Sequence, residues 1–132
     1  MGKQKIIRMH SDGPDGTGLE FWGHLESEKV LDGEPVEKGY NYFTNATGQL
    51  TAGVWEVTPC KSRIDVQPAD EFCYIIKGAV TLTDDDGNAE TFTAGQCYVV
   101  PKGFPHIWHN TEPVRKFYVI FDEDPSCSPR CL

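Results

Sequence analysis

GQCYVVPKGFPHIWHN, running from Gly95 to Asn110, decides how this chain is read. A glycine turn opens an apolar run, Cys97 to Val100, that stops at Pro101. Lys102-Gly103-Phe104-Pro105 then reverses the chain and launches His106-Ile107-Trp108-His109. An apolar run, a Gly/Pro breaker and a second apolar run predict strand, sharp turn, strand. Written as spacing, the stretch is Gly, five residues, Pro, one, Gly, two, His, three, Asn, filled by Gly95, Pro101, Gly103, His106 and Asn110. Most of these positions shape a turn. His106 is the one that carries chemistry, because a neutral imidazole at the start of a strand offers a nitrogen donor to whatever that strand faces.

Outward from this stretch, short runs with strand character recur: Tyr40 to Thr44, Leu50 to Thr58, Arg63 to Val66, Glu71 to Lys77, Ala79 to Thr83, Ala89 to Thr93, Gln96 to Val100, His106 to His109 and Arg115 to Phe121. Val80 and Leu82 alternate with Thr81 and Thr83, which gives that strand one wet face. Phe72 to Ile76 and Phe117 to Phe121 are apolar on both faces and so are expected to be covered on both sides. Nine Pro and thirteen Gly, set between short apolar runs with no helical period, point to an all-β sandwich or small barrel. At 132 residues the chain suits one domain. Its organisation is read as an N-terminal arm (1–39), a barrel (40–122) and a C-terminal tail (123–132).

Charge and cysteine usage bound the function. Twenty acidic against twelve basic residues give a net charge of −8, which repels phosphate backbones and anionic lipid surfaces, so neither nucleic acid nor membrane is an expected partner. The basic start, Met1 to Met9, holds two adjacent apolar residues, far short of a signal-peptide core, and no later run reaches transmembrane length, so a cytoplasmic location is expected. Five cysteines form no CxxC pair. Cys73 and Cys97, within predicted strands, are expected to act as small core hydrophobes, and Cys127 and Cys131 lie in a tail without apolar periodicity. Asp84-Asp85-Asp86-Gly87-Asn88 superficially suits calcium, but Ala89 then stands at the required glycine and Gly95 at the bidentate glutamate. A tight acidic hairpin turn explains the same residues. His10 and His24, in the Gly- and Pro-rich arm, are given no role.

The spacing of the opening stretch resembles the second signature of the cupin superfamily. The first cupin signature has two histidines one residue apart, three or four residues, a Glu, six residues and a Gly. Glu71 and Gly78 match its second half, whereas the histidine places fall on Asp65 and Gln67 or on Ile64 and Val66. A closer resemblance, carried by GVWEVTP (Gly53 to Pro59), DEFCYIIKG (Asp70 to Gly78), LTDDDG (Leu82 to Gly87), VVPKGF (Val99 to Phe104) and EPVRKFYVI (Glu112 to Ile120), is to the small single-domain cupin branch related to ureidoglycine aminohydrolase and ethanolamine-utilisation proteins. Members of that branch commonly lack the paired histidines. The resemblance implies an antiparallel jelly-roll barrel, the double-stranded β-helix, with strand pairs turning at Lys77-Gly78 and at Pro101 to Pro105.

The same resemblance frames the expected site at the barrel mouth. Glu71 and His106 are the catalytic candidates; His106, Glu71 and Asp65 are the candidate ligands of a weakly held divalent metal (Mn, Fe, Ni or Zn); Trp108, Tyr74 and Gln67 are the candidate ligand-binding residues. By strand alternation an inward His106 brings Trp108 inward, and an inward Glu71 brings Cys73 and Ile75 with it. The plainer readings are a buried Glu71 hydrogen-bonded to turn amides beside Gly78, a His106 bonded to a backbone carbonyl, Trp55, Trp108, Tyr74 and Tyr98 as core or pocket wall, and Arg115 and Lys116 in surface or dimer-contact ion pairs. The function expected is binding or transformation of a small polar metabolite in the lumen of a homodimeric protein; if the protein is an enzyme, it is a hydrolase, isomerase or lyase. The alternative is a non-catalytic ligand-binding or structural dimer module. An open acidic lumen with an ordered ion favours the enzyme, an open metal-free lumen the binder, and a lumen sealed by aromatic side chains the structural module.

Overall fold

Strands dominate the computed structural model, which describes residues 4–25 and 29–125; Cys127 and Cys131 lie outside the described residues. In chain order the strands are β1 (Glu20–His24), β2 (Val30–Asp32), β3 (Val36–Thr44), β4 (Leu50–Val57), β5 (Cys60–Ile64), β6 (Asp70–Lys77), β7 (Ala79–Asp84), β8 (Ala89–Thr93), β9 (Cys97–Val100), β10 (His106–Asn110) and β11 (Val114–Phe121). Every strand expected from Tyr40 onward is present, with ends displaced by a few residues. β1 and β2 are additions, lying inside the stretch read as an arm. β1 pairs with β3 across an irregularity between Phe21 and Gly23, and β2 pairs with β5. Glycine, proline and acid hide the period of these strands. The segment before them does run over the sheet: the backbone of His10 bonds the Tyr42 hydroxyl, and the Ser11 carbonyl accepts from Arg115 Nη1 at 2.8 Å.

All pairings are antiparallel. They form a six-stranded sheet in the order β1-β3-β4-β11-β6-β9 and a five-stranded sheet in the order β2-β5-β10-β7-β8. The core cluster draws Trp55, Val57, Ile75, Val114 and Tyr118 from the first sheet and Cys60, Ile64, Val80 and Trp108 from the second. Side chains from two facing sheets therefore meet in one interior, which is the jelly-roll arrangement expected.

The two glycine turns of the sequence reading are present, but the strands flanking each do not pair with one another. β6 lies between β11 and β9 while β7 lies between β10 and β8, so the turn at Gly78 hands the chain from one sheet to the other. The turn between β9 and β10 does the same. Gly78 has φ +82, and a Cβ there would collide with the Pro113 carbonyl. In the second turn the Gly103 amide donates to the Gln67 carbonyl at 2.7 Å and the Lys102 amide to Asp70 Oδ1 at 2.8 Å. These bonds tie the loop before β6 to the loop before β10, and so bring Glu71 and His106 to the same end of the barrel.

The acidic loop is the hairpin of β7 and β8. Asp84 accepts from the amides of Asp86 and Asn88, both at 2.9 Å, and from Asn88 Nδ2 at 3.0 Å. The carboxylate serves its own turn, and the bonds from Asn88 hold its pKa below the usual 3.8.

Candidate functional site

Alternation along β11 turns Val114, Lys116 and Tyr118 inward, and the interior is organised around the second of these. Lys116 is 1% exposed and Glu71 2%. Lys116 Nζ lies 2.8 Å from Glu71 Oε2 and 3.3 Å from Cys73 Sγ, while Gln67 Nε2 donates to the other oxygen, Glu71 Oε1, at 3.3 Å. The ammonium also stands 4.9 Å from the Trp55 ring and 5.2 Å from the Trp108 ring. Those rings, one from each sheet, meet edge to face at 5.4 Å and close the interior on that side. A buried charge is tolerated where it is paired and hydrogen-bonded, and indole faces add cation–π attraction.

The electrostatics agree with an ammonium in the interior. Burial alone would lower the Lys116 pKa; negative charge on Glu71, or on Cys73 or Tyr98 once these ionise, and the hydrogen bond the ammonium donates to Glu71 act against it, and the net direction is upward from 10.5. The Cys73 thiol is itself pushed up to about 12, chiefly by burial. Cys73 is therefore a thiol at neutral pH, and Glu71 is the counter-ion that acts there.

His106 sits under Phe104, 3% exposed, with the two rings stacked at 5.3 Å. Its Nδ1 is 3.1 Å from the Phe104 carbonyl. A carbonyl only accepts, so Nδ1 carries the proton and Nε2 keeps its lone pair. Burial, reinforced by Lys116 and opposed by the Phe104 bond, lowers the His106 pKa below 6.5. The imidazole is neutral near pH 7.

The remaining expected residues divide. Gln67, 2% exposed, reaches Glu71. Trp108 is in the core and donates to Asn110 Oδ1 at 2.8 Å. Tyr74, 39% exposed, lies on the outer face of β6 beside Phe117, because an inward Cys73 turns its neighbour outward. Asp65 lies past the end of β5, its side chain 85% exposed and bonded to Arg63 Nε at 3.0 Å. It does not join Glu71 and His106. Among the described residues no group of three or more His, Cys, Asp or Glu is placed to hold a metal ion. With Asp65 outside and an ammonium already on Glu71, the residues present do not fit a divalent metal. Two further expectations change: Lys116 is interior rather than surface, and Cys97 is exposed on the outer side of β9, out of the core. Arg115 makes intramolecular ion pairs with Glu56, at 2.9 Å, and with Asp12.

The barrel opens between the β7–β8 hairpin and the turn from β9 to β10. A cleft of about 260 Å³ there is lined by Leu82, Asp84, Asn88, Glu90, Phe92, Tyr98, Val99, Val100, Pro101 and Phe104. Tyr98 is its inner wall. The Tyr98 ring stacks on Phe92 at 4.5 Å, and its hydroxyl is buried toward Cys73 without a well-formed hydrogen bond. Burial holds that hydroxyl well above its usual pKa of 10.0. Sequence reasoning placed Tyr98 as core or wall, and the structure makes it wall of the cleft with its hydroxyl turned to the interior.

Two facing antiparallel sheets joined by glycine crossovers define a jelly-roll domain. The profile of the EutQ-like cupin domain family matches residues 44–118, more than half of the chain, and the protein belongs to that family. It is similar to a DUF861-family protein of unknown function from Pseudomonas syringae, with 27% identity and TM-score 0.73 over 77% of this chain and 43% of that one. This chain thus spans less than half of that relative's length. The fold is also that of the EutQ protein of Clostridium difficile (21% identity, TM-score 0.59, 76% of this chain and 81% of that one) and of a cupin-like protein from Thermotoga maritima (13%, TM-score 0.64, 86% of each). No curated protein matches the sequence.

Proposed function

We propose that this cupin domain binds a small polar metabolite in the rim cleft, without a metal, and that the Lys116–Glu71 pair beneath it is the rigid floor of the barrel. The observation that carries this reading is the cleft itself, where the rings of Phe92, Tyr98 and Phe104 stand beside the polar side chains of Asp84, Asn88 and Glu90, an apolar pocket with a few convergent polar groups. Phe92 and Phe104 supply apolar walls. Asp84, Asn88 and Glu90 at the rim, together with the net charge of −8, favour a neutral or cationic compound bearing hydrogen-bond donors over an anion. Catalysis by Glu71 is the less supported role, because both of its oxygens are engaged, by Gln67 and Lys116. His106, neutral and anchored to Phe104, supports the cleft wall from behind.

A library of small polar metabolites screened by thermal shift, with hits titrated calorimetrically, tests the reading. Glu90→Gln removes one charge from an exposed residue of the cleft rim. It is expected to fold as well as the parent and to bind cationic hits about two- to fivefold more weakly. Cationic hits that bind the variant and the parent equally would contradict this site.

A further inference from the structure

In a metal-bearing cupin, imidazole and carboxylate side chains converge on a divalent cation. Here the carboxylate on β6 and the imidazole on β10 are both present, but what Glu71 holds is an ammonium. We propose that Lys116 is the resident cation of this barrel: its ammonium takes the place in which a divalent metal would meet Glu71, and it closes the interior to metals. The inference is independent of what binds at the rim.

Three observations carry it. The first is satisfaction. Of the three N–H groups of the ammonium, one reaches Glu71 Oε2 at 2.8 Å and one Cys73 Sγ at 3.3 Å, leaving the third to the indole faces of Trp55 and Trp108. The second is enclosure. The side chains of Lys116 and Glu71 are each 2% exposed, so the pair is screened little by solvent, and a second cation beside it would meet strong repulsion. The third is tethering. Lys116 belongs to the middle of β11, held on both sides by β4 and β6, so this cation cannot leave as an ion can. The charged and titratable groups that face it are Glu71, Cys73, Tyr98 and His106: Glu71 forms the ion pair, burial pushes Cys73 and Tyr98 up, and burial holds His106 down.

Two measurements test the proposal. Protein labelled with ¹⁵N-lysine is expected to show one slowly exchanging ammonium signal at neutral pH, assigned by its loss in Lys116→Met, and equimolar cobalt(II) is expected to leave that signal unbroadened. Its absence from the folded parent, or stoichiometric broadening by cobalt, overturns the proposal. Lys116→His removes the ammonium and sets a neutral nitrogen donor beside Glu71 and Cys73. Its affinity for cobalt(II), measured by calorimetry against the parent, is expected to rise on the order of tenfold or more. A folded Lys116→His variant that binds no better than the parent overturns the proposal; if that variant does not fold, the ammonium signal decides alone.

Discussion

Lys116 stands between Val114 and Tyr118 on the inward face of β11, and its burial is the feature of the site least legible beforehand. Lysine in a strand reads as surface because an unpaired ammonium is almost never buried. The signal that places it is parity with its two apolar neighbours, and that signal works only if the partner carboxylate is located at the same time. Glu71 was legible through its distance from Gly78, and Gln67 through the vacant histidine place; Tyr74 was misplaced although the alternation that turns Cys73 inward turns it out. The pair has a measurable consequence. Lys116→Met leaves Glu71 buried without a counter-ion and is expected to cost about 3–5 kcal/mol in urea unfolding, while adding Glu71→Leu restores most of the loss. A single variant as stable as the parent would contradict the pairing.

At the scale of elements, the turns were read well and their topology was not. Glycine and proline spacing marks where a chain reverses, but whether the next strand pairs with the last or crosses to the facing sheet depends on partners far away in sequence. The crossover at Gly78 is the more constrained of the two: at φ +82 its Cα faces the Pro113 carbonyl, whereas Gly103, at φ +87, has open space around it. Gly78→Ala is therefore expected to lose about 1–3 kcal/mol from strain and collision together, and Gly103→Ala about 1 kcal/mol from the backbone alone. Chemical denaturation of the two variants checks the ordering. Equal losses would mean that the Pro113 contact yields. β1 and β2 escaped the sequence reading for a related reason, since an edge strand interrupted by Gly23 and one only three residues long show no period of their own and exist because β3 and β5 are there to receive them.

For the whole molecule, the outer face of the six-stranded sheet is the unexplained surface. Phe72 (41% exposed), Tyr74 (39%) and Val99 (61%) lie side by side with Phe117 and Val119 in the register of β9, β6 and β11. A contiguous apolar patch of this kind marks an interaction surface. We propose that a second copy of the chain covers it, joining the two sheets face to face about a two-fold axis. The sequence reading expects Phe72 to Ile76 and Phe117 to Phe121 to be covered on both sides, whereas in the chain alone Phe72, Tyr74 and Phe121 stay exposed on the outer face. In sedimentation at micromolar concentration the protein is expected to run as a dimer, and Val99→Asp, at an exposed position, to shift it to the 14.8 kDa monomer without loss of fold. A parent that sediments only at 14.8 kDa would contradict the dimer.

The central claim is that an ammonium, not a metal, is the cation held by Glu71. The most direct measurement is elemental analysis of the protein purified without chelator and without affinity nickel. The account predicts well under one equivalent of Mn, Fe, Ni and Zn together per chain, removable by dialysis; one equivalent of a divalent metal per chain that survives dialysis against chelator would contradict it.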